Sequence, residues 1–415
     1  MHTRCTHTLR QHLGALCTVL CWQALALLLF HALAGGTLLE PNVYDSYSLQ
    51  AENWLRGRLD LADGARYSWL ELAVYKGRFY QSFPPVPGVL LLPWVIFCGG
   101  AAHVPANLVI ALLALCCTAG VYACFWQADA APHTALLFAV LVGLGSNVFW
   151  LSTSGGVWFM AQVSGLCFAV WGIFWVLRGG RPGNLLASFC FAAAVGCRPF
   201  YALLFLLWGL ALLTGDPAKR RLPELACATL PAAVLAAAMM AYNAARFGNV
   251  LEFGHNYLPE FSQATYGQFS THYLVPNLLQ LLRPVTLDSN LQLHFPLFNG
   301  FLPFVANPLL LLAVLCGLRA LLHRDPALQQ SHALPLPASG LTVFLSCLLV
   351  VALLCLHKTL GGWQFGARYT VDLFPFVLLW FLARPHYRPG TAAWALCGCA
   401  VLFNLYGAVY MLGTV

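Results

Sequence analysis

The sequence predicts an all-α, polytopic membrane protein, and three observations carry that prediction. Only 8% of the residues are charged and 60% are hydrophobic, whereas soluble domains run nearer a quarter charged. Mean hydropathy is +0.73. Apolar runs recur at 13–34, 86–100, 104–126, 134–153, 157–177, 185–214, 225–242, 301–323, 337–357, 370–383 and 391–412, most of them near the ~20 residues that cross a bilayer as a helix. No internal repeat, low-complexity segment or soluble domain breaks the pattern, so residues 1–415 read as one transmembrane domain.

The first run follows MHTRCTHTLRQH. It is too long for a signal-peptide core and no A-x-A cleavage pattern follows, so it reads as an uncleaved first span. Short connectors carry Arg178 and Arg181, then Lys219, Arg220 and Arg221, then Arg319 and Arg324, then Arg384 and Arg388. With Arg4 and Arg10, these belong in the cytoplasm by the positive-inside rule. The long segments 35–85 and 246–300, and the segment 357–369, then lie outside. Parity leaves one run too many before residue 178. The weakest is 86–100, short and holding two prolines, and it reads as an interfacial helix within a first extracytoplasmic loop spanning 35–103. The run 185–214 breaks at Arg198-Pro199 into two helices with an outer turn. About eleven spans result, with the N-terminus cytoplasmic and the C-terminus extracytoplasmic, and Asn147–Gly156 forms another outer loop. The net charge of +7 is then a signature of topology and not of nucleic-acid binding.

The 16 cysteines lie mostly inside apolar runs, where Cys acts as a small hydrophobe. No C-x-x-C pair is present, and the loops 35–85 and 246–300 contain no cysteine. The sequence also lacks G-x-S-x-G, a Walker A loop and H-E-x-x-H, so serine, nucleotide and zinc hydrolysis have no support. Ionisable residues are scarce inside the runs, His31 being the main exception and best read as structural. Ion-coupled carriers place charged partners at membrane depth. Polar groups gathered at one face instead fit an enzyme acting at the membrane surface on a lipid-linked substrate.

Candidate residues concentrate in the first outer loop. Asp45, in Val43-Tyr44-Asp45-Ser46-Tyr47, sits just past the first span. At the rim of a low-dielectric cavity such a carboxylate can gain a raised pKa and take a proton; the same residue could simply cap a helix or sit in solvent. Glu40 and Glu52 are the competing carboxylates, and Asp60 and Asp63 read as turn residues. Lys76 and Arg78, beside aromatics, suit either a phosphate or lipid headgroups. The stretch Gly361–Tyr369 is a glycine-rich turn leading into a helix with Arg368 beside it, a plausible anion site. Arg198 could reach the same anion or mark the interface. His255, His272 and His294 match no metal-ligand spacing and read as surface residues.

The order of these stretches resembles a known family. An early outer loop holds Asp45 and Tyr47, followed by NWLRGRLDL at 53–61 and YKGRFYQSFPPVPGVLLLPW at 75–94. Much later come RFGNVLEFGHNY at 246–257 and GWQFGARYTVDLFPF at 362–376. The pattern is similar to the bacterial branch of the GT-C superfamily, membrane glycosyltransferases such as protein O-mannosyltransferases and aminoarabinose transferases. The resemblance covers most of the chain on short, loose motifs. It implies a GT-C-like bundle, a polyprenyl-phosphate sugar as donor, Asp45 as catalytic carboxylate and Arg368-Tyr369 at the donor phosphate, with Arg78 or Lys76 assisting. Many members carry Asp-Glu where this chain has Asp45-Ser46. Metal-dependent relatives carry an acid in the next outer loop, and SNVFWLSTSGG has none. A metal-independent, inverting transfer without cofactor is therefore expected, to an acceptor that is a glycan, a lipid or a protein. The alternatives are a surface-glycan ligase or polymerase acting on lipid diphosphates, which should lean on several arginines and a His, and a lipid-linked-sugar flippase, which should line a path through the membrane with polar residues.

Overall fold

A computed structural model describes residues 8–214, 222–290, 292–323, 325–329 and 334–414. Arg4, Lys219, Arg220, Arg221 and Arg324, assigned above to the cytoplasm, lie outside the described residues.

The described chain is all-α apart from two short hairpins. Helix α1 (Leu9–Leu33) starts at a capping box in which Thr8 and Gln11 satisfy each other's backbone N–H groups, a local signal for helix initiation. Then come α2 (Ser46–Leu55), β1 (Leu72–Tyr75), β2 (Arg78–Gln81), α3 (Val86–Cys98), α4 (Ala106–Gln127), α5 (Pro132–Gly143), α6 (Asn147–Leu151), α7 (Val157–Arg178), α8 (Gly180–Val195), α9 (Ala202–Thr214) and α10 (Leu222–Phe247). The second half holds α11 (Pro259–Ser262), α12 (Leu274–Leu281), β3 (Thr286–Leu287), β4 (Leu293–His294), α13 (Pro303–Ala306), α14 (Pro308–His323), α15 (Gly340–Leu356), α16 (Phe374–Leu382) and α17 (Thr391–Leu412).

Among the described residues five helices, α1, α4, α7, α10 and α17, are long and apolar enough to cross a membrane. Exposed Leu28, Leu210, Val234, Leu345 and Leu402 stud the outside of the bundle; a lipid solvent makes that arrangement stable where water would not. The centre is α7, which packs on α4 and α8, with α10 behind α8. Small residues allow the close approach. A Cβ on Gly172 would stand 2.5 Å from the Phe191 ring, so glycine lets α7 and α8 meet.

The break at Arg198-Pro199 is present: α8 ends at Val195, a 3-10 turn covers Pro199–Tyr201, and α9 follows. The run 86–100 is the 13-residue α3, with Pro93 inside it, lying against α2. The hairpin β1–β2 was not expected. Leu72 pairs with Gln81 and Tyr75 with Arg78, and Lys76 (φ +47°) and Gly77 (φ +72°) form the two-residue turn whose left-handed residues match strand twist.

One end of the bundle gathers the segments read as extracytoplasmic. Val157 N–H donates to Tyr44 O (3.0 Å) and Val86 N–H to Gly196 O (3.1 Å). Arg246 reaches Gln81 O (2.7 Å). Backbone bridges join Phe269 to His357 and Phe298 to Trp363. The opposite end holds the Arg181–Glu224 and Arg319–Asp325 pairs and Arg384, whose Nε donates to Leu328 O (2.7 Å).

Candidate active site

Asp45 is the N-cap of α2. Its carboxylate accepts from the Ser48 N–H at 2.9 Å and from the Ser48 hydroxyl. Capping satisfies a helix-terminal donor, yet the side chain is 7% exposed and burial pushes its pKa up to about 6 against the pull of the Ser48 bonds. Such a group is largely ionised at neutral pH but close enough to its titration point to accept a proton. Next to it, Ser46 Oγ accepts from Gln81 Nε2 (2.8 Å). Tyr47 is fully buried, its hydroxyl without a partner among the described residues, and within electrostatic reach of Asp45 and Arg198.

Arg368 opens a 3-10 segment, Arg368–Leu373, that leads into α16. It is 3% exposed. One nitrogen, Nη2, donates to Gly361 O (2.8 Å); Nε and Nη1 have no partner among the described residues. A buried guanidinium that pairs with no carboxylate and leaves two N–H-bearing nitrogens unsatisfied is costly, a cost that an anion accepting from them would relieve. The Arg368 N–H itself is taken by Gln364 Oε1 (3.0 Å), so the unpartnered donors at this residue are those of its guanidinium. Gly366 (φ +71°) turns the chain where a Cβ would lie 2.5 Å from Ala306. A buried network fixes this turn: Asn147 Nδ2 donates to Phe365 O (2.8 Å), Asn307 Nδ2 to Asn147 Oδ1 and to Thr370 Oγ1 (both 2.9 Å).

Arg198 is engaged inside the protein. Its Nε and Nη2 both donate to Asp372 Oδ2, at 2.9 and 2.6 Å, and Tyr201 OH donates to Oδ1 at 3.1 Å. Its charge is matched within the protein. Asp372 is fully buried and corrects the view that His31 is the main ionisable residue in the apolar runs. The acid sits in plain view in YTVDLFP, inside the run 370–383. His31 itself is structural, its Nδ1 2.9 Å from Thr37 Oγ1. The Tyr369 ring lies within cation–π reach of both guanidiniums, 4.8 Å from that of Arg198 and 4.9 Å from that of Arg368.

Helix α7 ties the two halves together. Its first turn holds Trp158, whose ring lies 5.5 Å from that of Tyr44 and whose Nε1 donates to Glu71 Oε2 (2.8 Å). Phe159 faces the Arg368 guanidinium at 5.4 Å, and Gln162 Nε2 donates to Arg368 O (2.6 Å). Glu71 is held above the ordinary carboxylate range by burial and by Glu260, against the Trp158 bond and the charge of Arg368.

The other candidates fall elsewhere. Glu40 is exposed and Glu52 pairs with Arg56 (2.7 Å). Lys76 and Arg78 are exposed at the hairpin tip, about 10 Å along the strand from Gln81. Arg78 instead lines an open groove of about 630 Å³ with Arg58, Asp60, Tyr80 and Ala245. His272 and His294 are exposed, as read. His255 is not a plain surface residue: its Nδ1 donates to Ser82 O (2.7 Å), its ring stacks on Phe261, and burial lowers its pKa to about 4 near His357 and Arg198. Arg246 also escaped notice. It is 3% exposed and clips Gln81 O to Phe253 O (2.7 and 3.3 Å). Spacing could not have found Glu71, Gln162 or Arg246: only the fold brings Gln162 to Arg368, Glu71 to Trp158, and Arg246 to the Gln81 that bonds Ser46 beside Asp45. Among the described residues no three His, Cys, Asp or Glu side chains converge as metal ligands.

No family model matches the chain. No curated protein matches it either. Among solved structures, the chain is similar to ArnT from Cupriavidus metallidurans bound to undecaprenyl phosphate, at 13% identity and a TM-score of 0.49, over 90% of this chain and 61% of that one. It is similar also to the apo oligosaccharyltransferase of Archaeoglobus fulgidus, at 13% identity and a TM-score of 0.48, over 96% of this chain and 56% of that one. The chain thus spans about three fifths of the length of each.

Proposed function

We propose that this chain is a membrane glycosyltransferase of the GT-C type that moves a sugar from a polyprenyl-phosphate donor to an acceptor hydroxyl at the extracytoplasmic face. The observation that carries the reading is the buried Arg368 guanidinium with two unpartnered N–H groups, bridged by one turn of α7 to the loop that presents the buried carboxylate of Asp45. A lipid phosphate arriving from the bilayer would accept from Nε and Nη1. Asp45 would take the acceptor's hydroxyl proton as that oxygen attacks the anomeric carbon. The bond from this carbon to the phosphate oxygen breaks in the same step, inverting the configuration. The departing phosphate monoester gains charge, which Arg368 stabilises where water is excluded. Tyr369, in cation–π contact with Arg368, would help keep it aimed. The reaction needs no metal in this reading, and the acceptor is a hydroxyl-bearing glycan, lipid or protein.

The test is transfer from polyprenyl-phosphate sugars by the purified chain. Asp45→Asn should lower the rate at least ~100-fold, the scale of a lost general base. Arg368→Ala should lower it by about 100–1,000-fold, the scale of a lost transition-state donor. EDTA should leave the wild-type rate unchanged. Full activity in Asp45→Asn removes the base assignment. Turnover of lipid diphosphates alone moves the reading to a surface-glycan ligase.

A further inference from the structure

Arg368 and Glu71 carry opposite charges, feel each other, and do not pair. Each is held by something else. Arg368 is fixed by Gly361 O and Gln364. Glu71 is fixed by the Trp158 indole at 2.8 Å, its only side-chain hydrogen bond among the described residues. Both fixings run through the same stretch of α7, where Trp158 holds the carboxylate and Gln162 holds the Arg368 main chain at 2.6 Å. Opposite charges in a half-buried setting would close on each other unless the scaffold kept them apart. Here Trp158 and Gln162, four residues apart on α7, hold the two groups within electrostatic reach of each other without letting them pair.

The aromatic surroundings of Glu71 differ from those of Arg368. Trp158 is half-buried and Tyr44 is 40% exposed, their rings 5.5 Å apart. Trp69 is 51% exposed and donates to Val43 O (3.0 Å) beside them. Flat rings with one face wet, next to an acceptor-only carboxylate, match a ligand that has apolar C–H faces and O–H donors at its edge. A sugar ring has that character, and a phosphate does not.

We propose that Glu71 is the specificity-determining residue that reads hydroxyl groups of the transferred sugar, with Trp158 and Tyr44 as its platform, while Arg368 reads only the phosphate. This rests on the glycosyltransferase reading above and deepens it.

The experiment compares binding of two probes to the full-length purified chain: bare undecaprenyl phosphate, and undecaprenyl-phosphate mannose or glucose. Wild type should hold a glycosylated probe at least tenfold more tightly than the bare one. Glu71→Gln preserves an acceptor for Trp158 and so keeps the fold. It should bind bare lipid phosphate as well as wild type or better, and lose the tenfold preference. Trp158→Phe, which keeps a ring but drops the N–H, should reduce the preference in the same direction. Arg368→Gln should weaken both probes alike, at least tenfold. A wild type without preference overturns the proposal, and so does a Glu71→Gln variant that keeps it or weakens both probes equally. Unchanged binding of both probes by Arg368→Gln would instead strike the glycosyltransferase reading, so the two failures are distinguishable.

Discussion

At the scale of single residues, the burial that raises the pKa of Asp45 works against stability. Its folded pKa of about 6 lies above the ordinary carboxylate value, so its contribution to stability is full below about pH 4 and is lost as pH rises through 6. A shift of that size corresponds to at most ~3 kcal/mol at neutral pH. Asn caps helices as well as Asp. Asp45→Asn should therefore melt at a higher temperature than wild type at pH 7.5, with the difference vanishing near pH 4, while transfer activity is lost; thermal denaturation in detergent across that range reads it out. The wild-type rate should fall on acidification with a midpoint near 6. His255 shifts the other way. With its pKa lowered to about 4, the stability it brings is present above its ordinary value of about 6.5 and is lost as pH falls toward 4.

At the scale of elements, the Arg198–Asp372 pair joins the turn between α8 and α9 to the segment that carries Arg368. Asp372→Asn leaves a buried guanidinium half-matched and should cost about 3–5 kcal/mol. Replacing both partners, as Arg198→Met with Asp372→Leu, should cost less than Asp372→Asn alone; unfolding midpoints of the three variants decide it. A double variant as unstable as the single one would mean the pair does more than match charge. The elements also show what was legible beforehand. Runs of apolar residues announce helices by length alone, and the break at Pro199 announces itself because proline cannot continue the hydrogen-bond ladder. Hairpin β1–β2 carried a signal too, four residues on each side of Lys76-Gly77, but its charges drew attention as a phosphate site. Asp372 was legible as an acid inside an apolar run, but its pairing with Arg198 was not. Glu71, Gln162 and Arg246 were not legible, because their roles depend on which segments meet across more than eighty residues of chain.

At the scale of the whole molecule, the bundle sorts its segments by end. His31 and Thr37 lie at the end that holds the site, so α1 begins at the other, where His12 stacks on Trp126 (4.8 Å). Helix α17 finishes beside the second large loop, with Tyr410 5.0 Å from Phe295. The described residues thus begin and end at opposite ends of the bundle. In a cysteine-depleted chain, single cysteines at positions 58 and 413 should react with a membrane-impermeant maleimide added outside intact cells, and one at position 181 only after lysis. Labelling of 181 from outside would invert the topology.

The Arg198–Asp372 pair has a consequence for how the chain is made. Its partners are 174 residues apart, and synthesis at ~5–20 residues per second puts roughly 9–35 s between them. For that interval the nascent chain carries Arg198 without Asp372, the carboxylate it pairs with in the fold. An unbroken helix through 185–214 would hold it in hydrocarbon while it waited. The interruption at Pro199 lets it wait in a turn at the aqueous boundary until the ribosome delivers Asp372.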